Sequence, residues 1–358
     1  MSTAAKSVAT CCIVYTTDPT YLFPTLVSAM QARLFSSRQK ADVAVFCLHL
    51  DPATNAVFAP ICAREGIHLI PLESDVVEGQ LAMIARLFLT RFVPAHYTDY
   101  LYLDGDIHIL DSLDPLLEFE VPDGCFLAAN DPMTFLLADN SFLSRKLRGH
   151  LRQLGLNASE SLQYFNSGVL RIRAKGWEQI GLEAWQQFNR PKHRSRFPDQ
   201  DALNLAGKGR RLPLSLTWNY PVFMRHSRVE TDIKPRIKHF MSSPKPWNGA
   251  FSPWTRAECA PYDQAIEQYP ALLPFRPQAL SFRSRALYQL QQNGKRAIEM
   301  VSWGMSKRRD RILQYEAACS SLSSVYPEPL ALDASRTHPW TSDSILPTTV
   351  VRTPARTG

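Results

Sequence analysis

The sequence predicts an α/β protein with a parallel sheet covered by helices on both faces, and three observations carry that reading. Short apolar, β-prone runs recur at Val8–Tyr15, Val43–Leu50, Ile67–Leu72 and Tyr100–Leu103. Between the first two, Phe23, Val27, Met30 and Leu34 repeat at helical spacing. The 358 residues, 45% of them apolar, suffice for a large core. Strand alternating with helix builds βαβ units, whose parallel strands open their ligand crevice past their carboxyl ends.

In chain order, the first strand stops at Thr16, Thr17, Asp18 and Pro19, delivering Thr17 and Asp18 to that crevice with Tyr21 just beyond. Leu81, Ile84, Ala85, Phe88 and Phe92 form the stripe of a helix on which Arg86 and Arg91 point to different sides, so they cannot share a role. Tyr100–Leu103 then runs straight into Asp104-Gly105-Asp106, and apolar residues resume at Ile107. Two residues apart on extended backbone, the two carboxylates share a face, with α-carbons roughly 6 to 7 Å apart, within reach of one divalent cation. Gly105 leaves room for close approach of a ligand. Alone, Asp-Gly-Asp is equally ordinary turn chemistry; the flanking buried strand favours a site.

Further on, Phe126–Asn130 reads as a strand and residues 131–155 as a polar, basic helical insertion. Tyr164–Arg173 reads as a strand broken at Asn166, Ser167 and Gly168, a break that turns an amide toward a ligand. Trp177–Phe188 is a helix, Arg190–Arg196 a solvated basic loop, and Phe197–Asn204 the start of a helix with Asp199 and Asp201 in its first turn. Ile237–Trp247 places His239 at a strand end and Lys245 in a proline-bounded loop. Residues 262–320 are helical, with Arg283, Arg285, Lys307, Arg308, Arg309 and Arg311 among Phe282, Tyr288 and Ile312. That pattern fits either amphipathic helices packed on the domain or a cationic, aromatic-anchored surface for an acceptor or a membrane. Past Val325 the chain is rich in Pro, Ser, Thr and Arg, as disordered tails are. The division expected is a catalytic domain over 1–258, a basic helical extension over 259–324 and a tail over 325–358.

The net charge of +7 points to an acidic partner. A nucleic acid is not expected, because no zinc-finger, RNP or helix-turn-helix pattern is present. Seven cysteines without CxxC spacing read as reduced thiols of a cytoplasmic protein, with neither disulfides nor zinc. Neither a secretory leader nor a membrane span is expected.

Five blocks, taken together in this order, resemble the family 8 glycosyltransferases, which are retaining GT-A enzymes. They are Val14–Asp18 with Tyr21; Ala85–Leu87; Leu101–Asp106; Tyr164–Val169 with Asp199–Asn204; and His239 through Lys245 to Trp247. The resemblance implies a Rossmann-like, mixed, mainly parallel central sheet flanked by helices, with a C-terminal helical segment. It also implies that Asp104, Asp106 and His239 bind Mn²⁺, or Mg²⁺ in its place. Lys245 and Gly105 would lie at the donor diphosphate, Thr17, Asp18 and Tyr21 at uracil, and Arg86 at sugar and phosphate, with Arg91 as second choice. Asn166, Asp199 and Gln200 would line the reaction centre. Gln200 falls at the place of a nucleophile on the opposite ring face, but a neutral amide is a poor one, so retention is expected by same-face displacement. Two departures stand out: Met241, Ser242 and Ser243 replace the glycine common in the family's loop, and no priming tyrosine is identifiable.

The activity expected is transfer of a hexose from UDP-glucose or UDP-galactose to a glycan, lipid-linked or other acceptor. A non-catalytic protein that binds a sugar nucleotide or glycan is the alternative. Peripheral contact with the inner membrane face through the basic helices is a further expectation.

Overall fold

The structure is a computed structural model, and it describes residues 9–190, 197–251, 254–301 and 304–321. Most of the expected basic loop, from 191 to 196, and the whole expected tail lie outside the described residues.

Strands β1 (Cys11–Thr17), β2 (Ala41–Leu48), β3 (His68–Leu72), β4 (Asp99–Leu103), β6 (Phe126–Asn130), β7 (Phe165–Arg173) and β8 (Arg211–Pro213) form one sheet. Its order is β3-β2-β1-β4-β7-β6-β8. Only β7 runs antiparallel to its neighbours β4 and β6, so the sheet is mixed and mainly parallel. A second sheet, β5-β10-β9, joins β5 (Ile107–Ile109), β10 (Ile237–His239) and β9 (Tyr220–Pro221). The longer helices are α1 (Leu22–Leu34), α2 (Pro52–Glu65), α3 (Phe142–Gln153), α4 (Trp177–Phe188), α5 (Pro198–Ala206), α6 (Arg256–Gln268), α7 (Phe282–Val301) and α8 (Gly304–Ser321).

Local chemistry sets these elements. Asp51 opens α2 by accepting from the Thr54 amide, and Gly66 closes it at φ 71°. Pro198 stands in the first turn of α5, where its missing N–H costs nothing. Along β1, Cys11, Ile13 and Tyr15 join one apolar cluster with α1, α2 and α6. Cys12 and Val14 join another with α4 and α5. A strand buried on both faces reads as an unbroken apolar run, which is how β1 appears in the sequence.

Four expectations are corrected or refined. Leu81–Phe92 is not one α-helix: Ala82–Phe88 is a 3₁₀ helix followed by a single α turn at Leu89–Phe92. Its tighter winding carries Arg86 inward, while Arg91 turns out to Glu78 and the Val76 carbonyl, which removes it as a site candidate. The stretch Asn166–Gly168 does not end its strand, which runs from Phe165 to Arg173, but it does interrupt the pairing: the partner on β6 advances only from Ala128 to Asn130 while β7 passes from Leu170 to Phe165, so the extra residues bulge from β7. The boundary at 258 cuts through α6, and Tyr262 and Ala265 of α6 and Ile312 of α8 belong to the main core. The fourth concerns α8. Arg308 and Arg311 reach Asp139 and Arg309 reaches Asp232, so this part of the basic run is engaged within the chain.

Candidate active site

Strand pairing assembles the site. Because β7 runs antiparallel to β4, its first residues lie beside the last of β4, and the Asp104 amide donates to the Gly168 carbonyl at 2.8 Å. Beyond the acids, β5 pairs antiparallel with β10, setting His239 opposite Ile107. The Phe240 amide donates to the Asp106 carbonyl at 2.9 Å. This register carries the imidazole to the acids: His239 Nε2 lies 3.2 Å from Asp106 Oδ1 and 3.8 Å from Asp104 Oδ2. One ligand atom from each residue falls within 4.8 Å of the others.

These residues fit a divalent cation. Asn219 Nδ2 donates to Asn166 Oδ1 at 3.0 Å, so Asn219 Oδ1, 2.9 Å from His239 Nδ1, accepts the Nδ1 hydrogen. That leaves Nε2 as the ligating atom, turned toward two hard carboxylates, a donor set suited to Mn²⁺ or Mg²⁺. Lys245 Nζ sits 2.5 Å from Asp106 Oδ2, and it donates to the Phe240 carbonyl. Burial opposes ionisation of Asp106, but Lys245 and His239 outweigh it and hold the carboxyl well below the usual range. Gly168 is required by space, since a Cβ there would lie 2.2 Å from His239 Cε1 and 2.6 Å from Asp104 Oδ2. Gly105 has a different reason from the one expected. A Cβ there would lie 2.2 Å from Thr25 Oγ1, so this glycine lets α1 pack against the acidic turn.

Arg86 is buried at the back of the cluster. Its Nη2 donates to Asp104 at 2.9 Å, its Nη1 to the Ser167 carbonyl and hydroxyl, and its Nε to the Met83 carbonyl. Asp199 lies 3.4 Å from the same guanidinium; burial pushes its carboxyl up against the pull of Arg86. Gln200 is fully engaged: Oε1 accepts from Asn166 and the Ser167 amide, and Nε2 donates to Asp131 and the Tyr164 hydroxyl. Both lone pairs of its carbonyl oxygen are therefore in use. A buried chain of hydrogen bonds thus runs from Asp131 through Gln200, Asn166 and Asn219 to His239.

On the other side, Asp18 Oδ1 accepts from the Thr20 amide and hydroxyl and the Tyr21 amide, shaping the loop after β1. Thr17 is buried and accepts from Thr25, and the Tyr21 ring meets Trp247 edge-on at 5.2 Å. His108, two residues past Asp106, is no part of the cluster. It packs on Phe240 and Tyr262, and burial lowers its pKa to about 3, so it stays neutral in the core.

Sequence reading missed Asn219 and Asp131. Asn219 carried no signal, but Asp131 stands just past an apolar strand as Asp104 does, and that pattern could have found it. Beside Asp131 a cavity of about 1000 Å³ opens, walled by α3 on one side and α7 and α8 on the other. His150 faces it with Nε2 3.2 Å from the buried Asp201 carboxylate.

The chain is 28% identical over 172 residues to the lipopolysaccharide glucosyltransferase WaaO of Escherichia coli (strain K12), covering 44% of this chain and 48% of that one. It is 25% identical over 166 residues to galactinol synthase 1 of Solanum lycopersicum, covering 46% and 48%. The chain spans about half the length of the curated relatives it matches. The galactosyltransferase LgtC, solved with donor and acceptor sugar analogs, superposes with a TM-score of 0.56 at 22% identity, over 72% of this chain and 96% of that one. It shares the fold. The model of the family described as "Glycosyl transferase family 8" matches residues 12–250, from the start of β1 to beyond the His239 loop, and the chain therefore belongs to glycosyltransferase family 8.

Proposed function

We propose that the protein is a retaining glycosyltransferase that moves a hexose from UDP-glucose or UDP-galactose to an acceptor hydroxyl on a glycan or lipid-linked sugar. The observation that supports this most is the meeting of Asp104, Asp106 and an oriented His239 beyond the carboxyl end of β4. These three would hold Mn²⁺. When bound, the ion supplies Lewis-acid neutralisation of the charge that develops on departing UDP. Lys245, already beside Asp106, adds a compact cation next to the diphosphate. Asp18 makes its local hydrogen bonds through Oδ1, and Oδ2 would accept the uracil N–H, with Tyr21 providing the aromatic face.

At the reaction centre, Arg86 neutralises Asp104 and Asp199 and holds Asp199 where it can orient sugar hydroxyls. Gln200 braces Asn166 and Asp131 and takes no covalent part, because an amide with its oxygen fully engaged is a poor nucleophile. Retention then follows from same-face displacement: the acceptor hydroxyl attacks as UDP leaves, and a leaving phosphate oxygen takes the hydroxyl proton. The lipopolysaccharide glucosyltransferases among its relatives favour a lipid-borne glycan acceptor. Seven free cysteines favour a cytoplasmic location.

Calorimetry with UDP, with and without Mn²⁺, followed by a hydrolysis screen of UDP-sugars with the product anomer read by NMR, tests the proposal. Metal-dependent binding and a product of unchanged anomeric configuration support it. An inverted product sinks retention. Metal-dependent UDP binding with neither hydrolysis nor transfer of any UDP-sugar supports the non-catalytic reading instead.

A further inference from the structure

We infer that the cavity beside Asp131 receives the apolar portion of an amphipathic acceptor, an alkyl or aryl group attached to the sugar that bears the reacting hydroxyl. This rests on the glycosyltransferase reading and names the acceptor class that reading leaves open. The cavity adjoins the reaction centre at Asp131, whose carboxylate accepts from Gln200 at 3.0 Å. It adjoins the metal side at Ser242 and Ser243, in the loop leading to Lys245. The lining is mostly apolar, with Met133 and Leu147 on one wall and Tyr288 of α7 and Ile312 of α8 on the other, while Lys146 and Arg308 also face it. The Tyr288 hydroxyl bonds to Ser242, tying the far wall to the loop that leads to Lys245. Charge at the metal and a mostly apolar cavity beside it match a molecule polar at one end and apolar at the other.

Two further features argue for an apolar occupant. Leu143 at the mouth is 51% exposed and Phe223 37% exposed, apolar surface that water covers poorly and a hydrocarbon group covers well. A free glycan carries hydroxyls around nearly every edge, and only those within reach of Lys146, His150 or Arg308 would find partners; those set against Met133, Leu147 and Ile312 would shed water without recovering hydrogen bonds. The volume of about 1000 Å³ lies at the upper end of small-molecule sites, with room for a chain in addition to a sugar ring.

The test is calorimetric titration of the full chain with methyl and n-octyl glycosides of glucose and galactose, kept below micelle-forming concentration. The expected result is at least tenfold tighter binding of an octyl glycoside than of its methyl partner. That preference should be lost in Leu143→Asp and in Phe223→Asp, with a cooperative melting transition confirming that each variant is folded. Affinity for UDP with Mn²⁺ should be unchanged in both variants. Equal affinity for methyl and octyl glycosides overturns the inference, and so does an octyl preference that survives both substitutions. Binding of the octyl compound in a protein that shows no metal-dependent UDP binding refutes the parent reading and leaves an apolar pocket of another kind.

Discussion

At the end of β4, Asp104 and Asp106 are drawn together with His239, and every neighbour serves to hold them in place: Arg86 and Lys245 balance charge, Asn219 fixes the imidazole, and Gly168 and Gly105 make room. On the C-terminal helices the charges are arranged the other way. Arg308 and Arg311 close on Asp139, Arg309 on Asp232, and Glu258 at the start of α6 on Arg225 and Lys238. The first set crowds acids around a point where a cation fits; the second cancels each charge against a partner in the same chain. Density of charge along the sequence therefore says little about where an ionic ligand goes. Convergence of two acids and an imidazole on one point, even with Arg86 and Lys245 beside them, says much more.

If the two regions differ in this way, substitutions in the first should remove activity, and those in the second should lower stability and leave activity. The largest effect should come from Asp106→Asn, which keeps the size of the side chain and removes a ligand. Transfer should fall by about a thousandfold or more, and the thermal transition of the metal-free protein should fall as well, because Lys245 loses the buried carboxylate it pairs with. Steady-state kinetics and calorimetric melting check this, and near-normal turnover would remove the metal from the account. Asn219→Ala comes next. It frees the Nδ1 side of His239, and metal affinity should fall by about 10- to 100-fold, measured by titrating Mn²⁺ in the presence of UDP.

In the second region, burial raises the Glu258 carboxyl, but hydrogen bonds and charge from Arg225, Thr255 and Lys238 outweigh it and bring the pKa down to about 2. A carboxyl with a depressed folded-state pKa stabilises above its unfolded value and loses that contribution as pH falls toward the folded one. Glu258→Gln should therefore cost roughly 3 kcal/mol at pH 7. The difference from the native protein should shrink between about pH 4.5 and pH 2, as denaturant titrations at several pH values would show, and Mn²⁺–UDP affinity should stay the same. The smallest effect belongs to Arg309→Ala. Its pair with Asp232 is 3.0 Å long and both side chains are well exposed, so the loss should stay under about 1 kcal/mol and fade with salt. A larger loss would show that the helical region relies on its surface charges.

Much of this was legible beforehand for local reasons. Asp104 and Asp106 stand at the end of an apolar strand, and Asp18 just past another, so their place at the crevice follows from the fold class. The 3₁₀ winding at Ala82–Phe88 was not legible, because its apolar stripe suits an α-helix as well and tertiary packing chose between them. The basic residues of α8 misled for a related reason: Asp139, which holds two of them, belongs to a distant segment that no local window relates to α8.

By itself the sequence determined the alternation of strands and helices, the two-sided burial of β1, and the identity of the carboxylates, since periodicity and turn chemistry act within a few residues. Only the tertiary structure decided that His239 faces Asp106, that Asn219 holds the imidazole, and that the C-terminal helices wall a cavity beside Asp131. Each of these depends on the register of β5 against β10 or on helix packing across the core. Such contacts join segments far apart in the chain, and their geometry is set by the whole core and by no single stretch of residues.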